Sequence, residues 1–303
     1  MTTRFQQHAV HVQEGELPLF TFGERDDLEA AEPRRTVLAV HGITASSMSW
    51  PSVAAALPDG WRLVAPDLRG RGAARDLGTE RAGLRRHAED LCRAAERLDP
   101  EGTGDLVLAG HSMGAYVALL AAHARPDLFR RLVMVDGGVP LPLPAGMDPD
   151  EVLAASLGPA LERLSRTYAD VEEYVDFFRQ HPALGPHWND AVDAYVRYDA
   201  LETPEGVRSR AVEGAVRADG RDLLVLGEEL DAALRGLPIP AHLLCAPLGM
   251  FGQAPGLLPA AAVRAYDEEL DHLTAETVPD VNHYTILFDP TAVARVAEVI
   301  ADD

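Results

Sequence analysis

The chain has 303 residues, 47% hydrophobic and 25% charged, enough for one large α/β domain or a core carrying an insertion. Acidic residues outnumber basic ones 48 to 27, and the net charge of −21 argues against nucleic acid or an anionic membrane as a partner. Two cysteines, Cys92 and Cys245, fall in no C-x-x-C or metal-ligand spacing, so neither a disulfide framework nor a metal site is expected, and a reduced, cytoplasmic setting fits.

From the first residue onward, Met1 to Gln13 lack the basic start and apolar core of a signal peptide, and no apolar run approaches membrane-spanning length. Residues 8–22 alternate as a β-hairpin, with strands at 8–13 and 17–22 and a turn at Glu14-Gly15-Glu16. An acidic loop over 24–32 leads to a short apolar strand at 36–40. Strands and helices then alternate: a helix at 48–57, a strand at 61–66 and a long amphipathic helix at 79–98. A strand at 106–109, a helix at 113–124 and a strand at 132–135 follow. Near-continuous apolar strands between helices predict a mostly parallel, doubly wound sheet covered on both faces.

The alternation stops at residue 137. Residues 137–236 open with Val139-Pro140-Leu141-Pro142-Leu143-Pro144 and continue as helices with no convincing strand. Aromatic residues gather there, among them Tyr168, Tyr174, Phe177, Phe178, Trp188, Tyr195 and Tyr198. This stretch reads as a helical cap inserted after the sixth strand, between core segments 1–136 and 237–303. The sheet pattern resumes at 241–245, with a helix at 259–270, a strand at 274–278 and a closing helix at 290–302.

Gly110-His111-Ser112-Met113-Gly114 sits between the strand at 106–109 and the helix at 113–124. A G-x-S-x-G pentapeptide in a strand–turn–helix context carries chemistry, because small neighbours permit a turn that lifts the serine Oγ off the sheet. The N-terminus of the next helix then points at that oxygen. Ser112 is the candidate nucleophile, and a serine hydroxyl at neutral pH needs an adjacent base.

Three further landmarks complete a resemblance. His41-Gly42-Ile43-Thr44 follows the third strand, Pro66-Asp67-Leu68-Arg69-Gly70-Arg71-Gly72 follows the fourth, and Asn282-His283-Tyr284 follows the last. With the turn at Ser112, their order and spacing make the chain similar to α/β-hydrolases that bear a cap domain. The resemblance implies an α/β-hydrolase fold with His283 as the base. It also implies an oxyanion hole formed by the backbone amides of Met113 and Ile43, where Gly42 lets the chain approach the substrate. His41 and His111 read as packing residues, and Ser46 and Ser47 as helix caps. Asp67, Arg69, Gly70 and Gly72 read as shaping a loop beside the site.

The acid departs from the commonest family pattern. Leu244-Cys245-Ala246-Pro247-Leu248-Gly249-Met250-Phe251-Gly252-Gln253, where the acid usually stands, holds no carboxylate. Some family members carry the acid at the end of the sixth strand, where this chain has Asp136. An Asp there can also be structural, and Asp280 is the other candidate.

These residues lead to a serine hydrolase that cleaves an ester, thioester or lactone of a largely apolar small molecule, with no metal and no cofactor. Met250, Phe251 and the cap aromatics predict a mainly hydrophobic pocket, with Trp50 and Phe251 as substrate contacts. A C–C hydrolase, a cofactor-free perhydrolase or a lyase on the same fold remains open, as does a non-catalytic small-molecule receptor.

Overall fold

The computed structural model describes residues 5–22, 35–78, 82–143 and 146–302, apart from the side chain of residue 159. The acidic loop expected at 24–32 lies outside the described residues. Strands β1 (Phe5–Val12) and β2 (Gly15–Phe22) form the expected hairpin. β2 pairs antiparallel with β4 (Trp61–Pro66). The rest of the eight-stranded sheet is parallel: β3 (Arg35–Val40), β5 (Leu106–His111), β6 (Phe129–Val135), β9 (Ala241–Cys245) and β10 (Leu273–Thr277).

The strand order is β1-β2-β4-β3-β5-β6-β9-β10. From β3 the chain moves first to β4 on one side and then to β5 on the other. The loops leaving β3 and β5 therefore diverge and open a crevice at their carboxyl ends, the place where open α/β sheets bind ligands. His41 to Thr44 leave β3 there, and Ser112 leaves β5.

Alternate side chains of the parallel strands feed two cores, as the two-residue repeat of a strand requires. Leu38, Val40, Leu106, Leu108, Leu132 and Met134 face one side, with α2 (Leu84–Leu98), α3 (Met113–Ala124) and α8 (Gly227–Arg235) over them. Val37, Ala39, Val107, Ala109, Val133 and Val135 face the other, where α1 (Pro51–Ala56) packs on α10 (Pro290–Ala301). The helix expected at 48–57 is in fact a short 3-10 turn at Ser47–Ser49 followed by α1. Pro51 opens α1 at a position where the missing N–H costs nothing.

Between β6 and β9 lie α4 (Pro149–Ser165), α5 (Val171–Arg179), α6 (Asp190–Asp199), α7 (Glu213–Val225) and α8. Two short strands, β7 (Ala200–Thr203) and β8 (Gly206–Ser209), pair antiparallel among them, in a stretch that reads as helices without strands. Four residues each, with Glu202 and Arg208 exposed, are too few to show an apolar alternation. α8 joins the helical layer over the sheet by packing on α3, whereas α7 packs against both α4 and α2.

α3 is buried nearly all round and begins directly at the end of β5. Its close approach to β3 depends on Gly114, where an added Cβ would overlap the carbonyls of Val40 and His41. Gly114→Ala should therefore lower stability by about 1–3 kcal/mol, the usual cost of overpacking. A chemical-denaturation midpoint equal to that of the parent protein would show that α3 can shift away.

Candidate active site

Ser112 sits at φ 54°, ψ −126° between the last residue of β5 and the first of α3. A non-glycine residue at positive φ is uncommon and costs on the order of 1–3 kcal/mol, so the surroundings must enforce it. Gly110 allows this, since a Cβ there would strike the Gly114 carbonyl and the Ala115 amide.

Asp136 ends β6 one strand away, also at positive φ, 46°. It is wholly buried. One carboxylate oxygen accepts from the Ala246 amide at 3.0 Å, and the other lies 2.6 Å from Nδ1 of His283. Nε2 of His283 is 3.0 Å from Oγ of Ser112. A carboxylate accepts, so Nδ1 carries the proton and Nε2 is left to accept from the serine hydroxyl. The three side chains expected from the sequence thus come together in one hydrogen-bonded line. Asp280, the alternative acid, is exposed on the loop after β10.

Neighbouring backbone holds the His283 loop. Oδ1 of Asn282 accepts from the amides of Tyr284 and Thr285, both at 3.0 Å, and the amide of His283 donates to the Leu248 carbonyl at 3.0 Å. His111 does more than pack: its Nε2 donates to the His283 carbonyl at 2.8 Å, and the two rings lie 4.8 Å apart. Burial, with His283 adding to it, pushes the His111 pKa down to about 3. Neutral His111 with its proton on Nε2 suits that donation. His41 donates from Nδ1 to the Gly42 carbonyl and accepts at Nε2 from the Leu68 amide, fastening the loop after β3 to the loop after β4. Its pKa is likewise pushed down to about 3, chiefly by burial.

Met113 opens α3 beside Ser112, and a Cβ on Gly42 would lie 3.1 Å from Cβ of Ser112, so the 41–44 loop passes against the serine. Arg71, which the sequence reading did not single out, clamps that loop. Its Nε and Nη2 donate to the Ile43 carbonyl at 2.9 and 2.8 Å. Its Nη1 donates to the Arg69 carbonyl and pairs with Asp219 of α7, which also bonds His87. Asp67 receives the amides of Ser47 and Ala73 and the hydroxyl of Tyr198, the loop-shaping role its motif suggested. Ser46 caps the following turn through its side chain.

Two adjoining cavities lie over this line. The inner one is small and is lined by Gly42, Ile43, Ser112, His283, Leu287 and Phe288. The outer one is lined by Arg163, Phe177, Phe178, His181 and Phe251. Thr44, Leu157, Ala160, Tyr195, Met250 and Tyr284 border both, so only these residues separate one from the other. Phe251 stands at the outer mouth, 41% exposed. Trp50, expected to touch substrate, is fully buried in the core shared with α1 and α10 and lines neither cavity. A buried guanidinium and several polar tips also modify the expected apolar pocket, because Arg163 turns inward from the last turn of α4.

A serine hydroxyl, an imidazole and a buried carboxylate stand in line at the carboxyl ends of a parallel sheet and beneath helices, the arrangement expected of an α/β-hydrolase. The alpha/beta hydrolase family profile matches residues 37–296, and the chain belongs to that family. Lipase LipV of Mycobacterium tuberculosis is 33% identical over 142 residues, 45% of this chain and 52% of that protein. 2-(Acetamidomethylene)succinate hydrolase of Mesorhizobium japonicum is 32% identical over 100 residues, 33% of this chain and 34% of that protein. The chain thus matches about half or less of the length of these curated relatives. Among solved structures, E-2-(acetamidomethylene)succinate hydrolase superposes with a TM-score of 0.78 at 21% identity, covering 99% of this chain and 100% of that one. A thioesterase domain from the curacin biosynthetic pathway gives 0.72 at 20% identity, covering 98% and 99%. No described helix is long and apolar enough to cross a membrane.

The two neutral histidines couple stability to pH. In the unfolded chain each titrates near 6.5, and in the folded protein His41 and His111 titrate near 3. The unfolded state therefore binds more protons as pH falls below 6.5, and their stabilisation, full above that value, is lost towards pH 3. Each should contribute a fall of at most about 1.4 kcal/mol per pH unit inside this window. Thermal unfolding followed from pH 8 to pH 4 should show a Tm that declines below about pH 6.5. A Tm that holds level to pH 4 would contradict the assignment.

Proposed function

We propose that the protein is a serine hydrolase that cleaves an ester, thioester or lactone of a small molecule through an acyl-enzyme. The reading rests on one observation: the unbroken hydrogen-bonded line from Ser112 Oγ through His283 to Asp136, opening onto a cavity. Ser112 attacks the substrate carbonyl while Nε2 of His283 takes its proton. Asp136 keeps the imidazole in the Nδ1–H tautomer and stabilises the imidazolium that forms. The amides of Ile43 and Met113 donate to the developing oxyanion, where pre-oriented dipoles act without reorganisation. His283 then protonates the leaving group. Water, activated by the same imidazole, attacks the acyl-enzyme, and collapse of the second tetrahedral intermediate frees the acid and restores the serine proton.

Arg71 supports this scheme from behind the Ile43 peptide, fixing its carbonyl so that the amide at the same residue keeps its aim. The chemistry asks for no metal or cofactor, because protein groups supply nucleophile, base and electrophilic assistance. A cytoplasmic setting and a small-molecule partner belong to the same proposal.

A fluorophosphonate probe should label Ser112, seen as a mass shift on the peptide that contains it, and Ser112→Ala should abolish both the label and ester turnover. An unlabelled Ser112 in folded protein would favour a receptor. Labelling without turnover of any short p-nitrophenyl ester would favour a carbon–carbon hydrolase or lyase. Asp136→Asn should lower kcat on the order of 10⁴-fold, the cost of the equivalent change in a protease triad. A loss below about tenfold would assign the acid elsewhere.

A further inference from the structure

The outer cavity contains a cation that the hydrolytic scheme does not use. Arg163 is 3% exposed, near the end of α4, and its guanidinium lies 5.0 Å over the ring of Phe178. All its short contacts run through Nη1, to the hydroxyl of Tyr174, the carboxylate of Asp199 and, at 3.0 Å, the hydroxyl of Ser209. The opposite edge is nearly idle. Nη2 reaches the Thr44 carbonyl at 3.4 Å, longer than a normal hydrogen bond, and Nε has no hydrogen bond among the described residues.

An arginine held this way has one edge committed to a structural anion, while its side edge, Nε with Nη2, keeps the two parallel donors that match a carboxylate. Beside it in the cavity stand Tyr195, Tyr284 and His181. The two tyrosine hydroxyls form no hydrogen bond among the described residues. Both phenols are kept protonated, their pKa values raised by burial, so each can donate. Burial, helped by the field of Arg163, lowers the pKa of His181, which leaves the guanidinium as the cation of the cluster. Asp199 already balances one charge, yet a buried guanidinium whose side edge is unfilled still gains from a second, bidentate acceptor.

We propose that this edge of Arg163, with the hydroxyls of Tyr195 and Tyr284, receives a carboxylate on the acyl part of the substrate, so that the preferred ester is that of a short dicarboxylic acid. The proposal rests on the serine hydrolase reading for its reaction, though not for its binding. Thr44, which Arg163 touches, follows Ile43, the proposed oxyanion donor, so the anion lies a short chain away from the carbonyl under attack. The net charge of −21 repels anions at long range, but salt screens that field over about 8 Å, whereas the guanidinium acts in contact.

Monomethyl glutarate and methyl pentanoate differ only in a terminal carboxylate against a methyl group, and pH-stat titration measures the hydrolysis of both. The parent protein should prefer the glutarate by about tenfold or more in kcat/KM, the scale of a charge-assisted hydrogen bond. Arg163→Gln should collapse that ratio. Arg163→Lys, which keeps a cation beside Asp199 but loses the fork, should also lower it and guards against a variant that fails to fold. A parent protein indifferent between the esters, or one preferring the pentanoate, would overturn the proposal. Should neither ester turn over, calorimetry on the Ser112→Ala protein separates the two readings. Monomethyl glutarate binding at least about tenfold more tightly than methyl pentanoate would uphold the carboxylate site while the hydrolytic reading fails. Equal or absent binding would overturn the site itself.

Discussion

Asp136 is sealed from water at the end of β6, where an ionised carboxylate lacking donors would cost several kcal/mol. Its two donors come from two different connections. The Ala246 amide belongs to the loop after β9, and Nδ1 of His283 belongs to the loop after β10. One buried anion therefore fixes both loops to one strand end, and it also orients the imidazole towards Ser112. The backbone at Asp136, at φ 46°, adds a small cost that Asp tolerates better than most residues because its short polar side chain suits the left-handed region. Removing the carboxylate would leave an amide and a ring N–H unpaired at the centre of the site.

The same logic extends to the region between β6 and β9. Polar contacts, rather than apolar packing alone, tie its elements to the loops of the site. Tyr198 of α6 donates to Asp67, and Asp219 of α7 pairs with Arg71. Asn282 donates to the Ala183 carbonyl in the connection between α5 and α6. Such buried pairs contribute little net stability, because desolvation offsets most of their attraction, but they tolerate few alternative arrangements. They specify where the covering helices sit, and hence the shape of the cavities above Ser112.

Much of this was legible in the sequence wherever a local pattern has a single structural solution. Apolar strands between helices gave the sheet, and a serine flanked by glycines between strand and helix gave the turn at Ser112. The absence of any carboxylate in 244–253 leaves Asp136 as the acidic residue best placed to meet His283. The missed features share a different cause. Arg71 and Arg163 are arginines whose sequence neighbours resemble those of solvated ones, and only the fold shows that they are buried with Asp219 and Asp199. Trp50 illustrates the converse, since a large aromatic residue near a catalytic-type loop is equally suited to the core, and here the core holds it. The β7–β8 pair escaped because strands of four residues carry no readable period.

The unusual place of the proposed acid also bears on the pocket. A loop after β9 that had to project a carboxylate towards His283 would commit a side chain to the interior. Here that loop supplies only main-chain groups, the Ala246 amide to Asp136 and the Leu248 carbonyl to the His283 amide. Its tip is consequently free to build the cavity wall, where Met250 borders both chambers and Phe251 stands at the mouth near His181. Moving the anion to β6 thus couples two tasks that the sequence presents separately. The strand end holds the charge that orients the imidazole, and the vacated loop becomes apolar surface facing Arg163 across the outer chamber. A substrate with an anionic end and an apolar spacer would meet both kinds of surface on its way to Ser112.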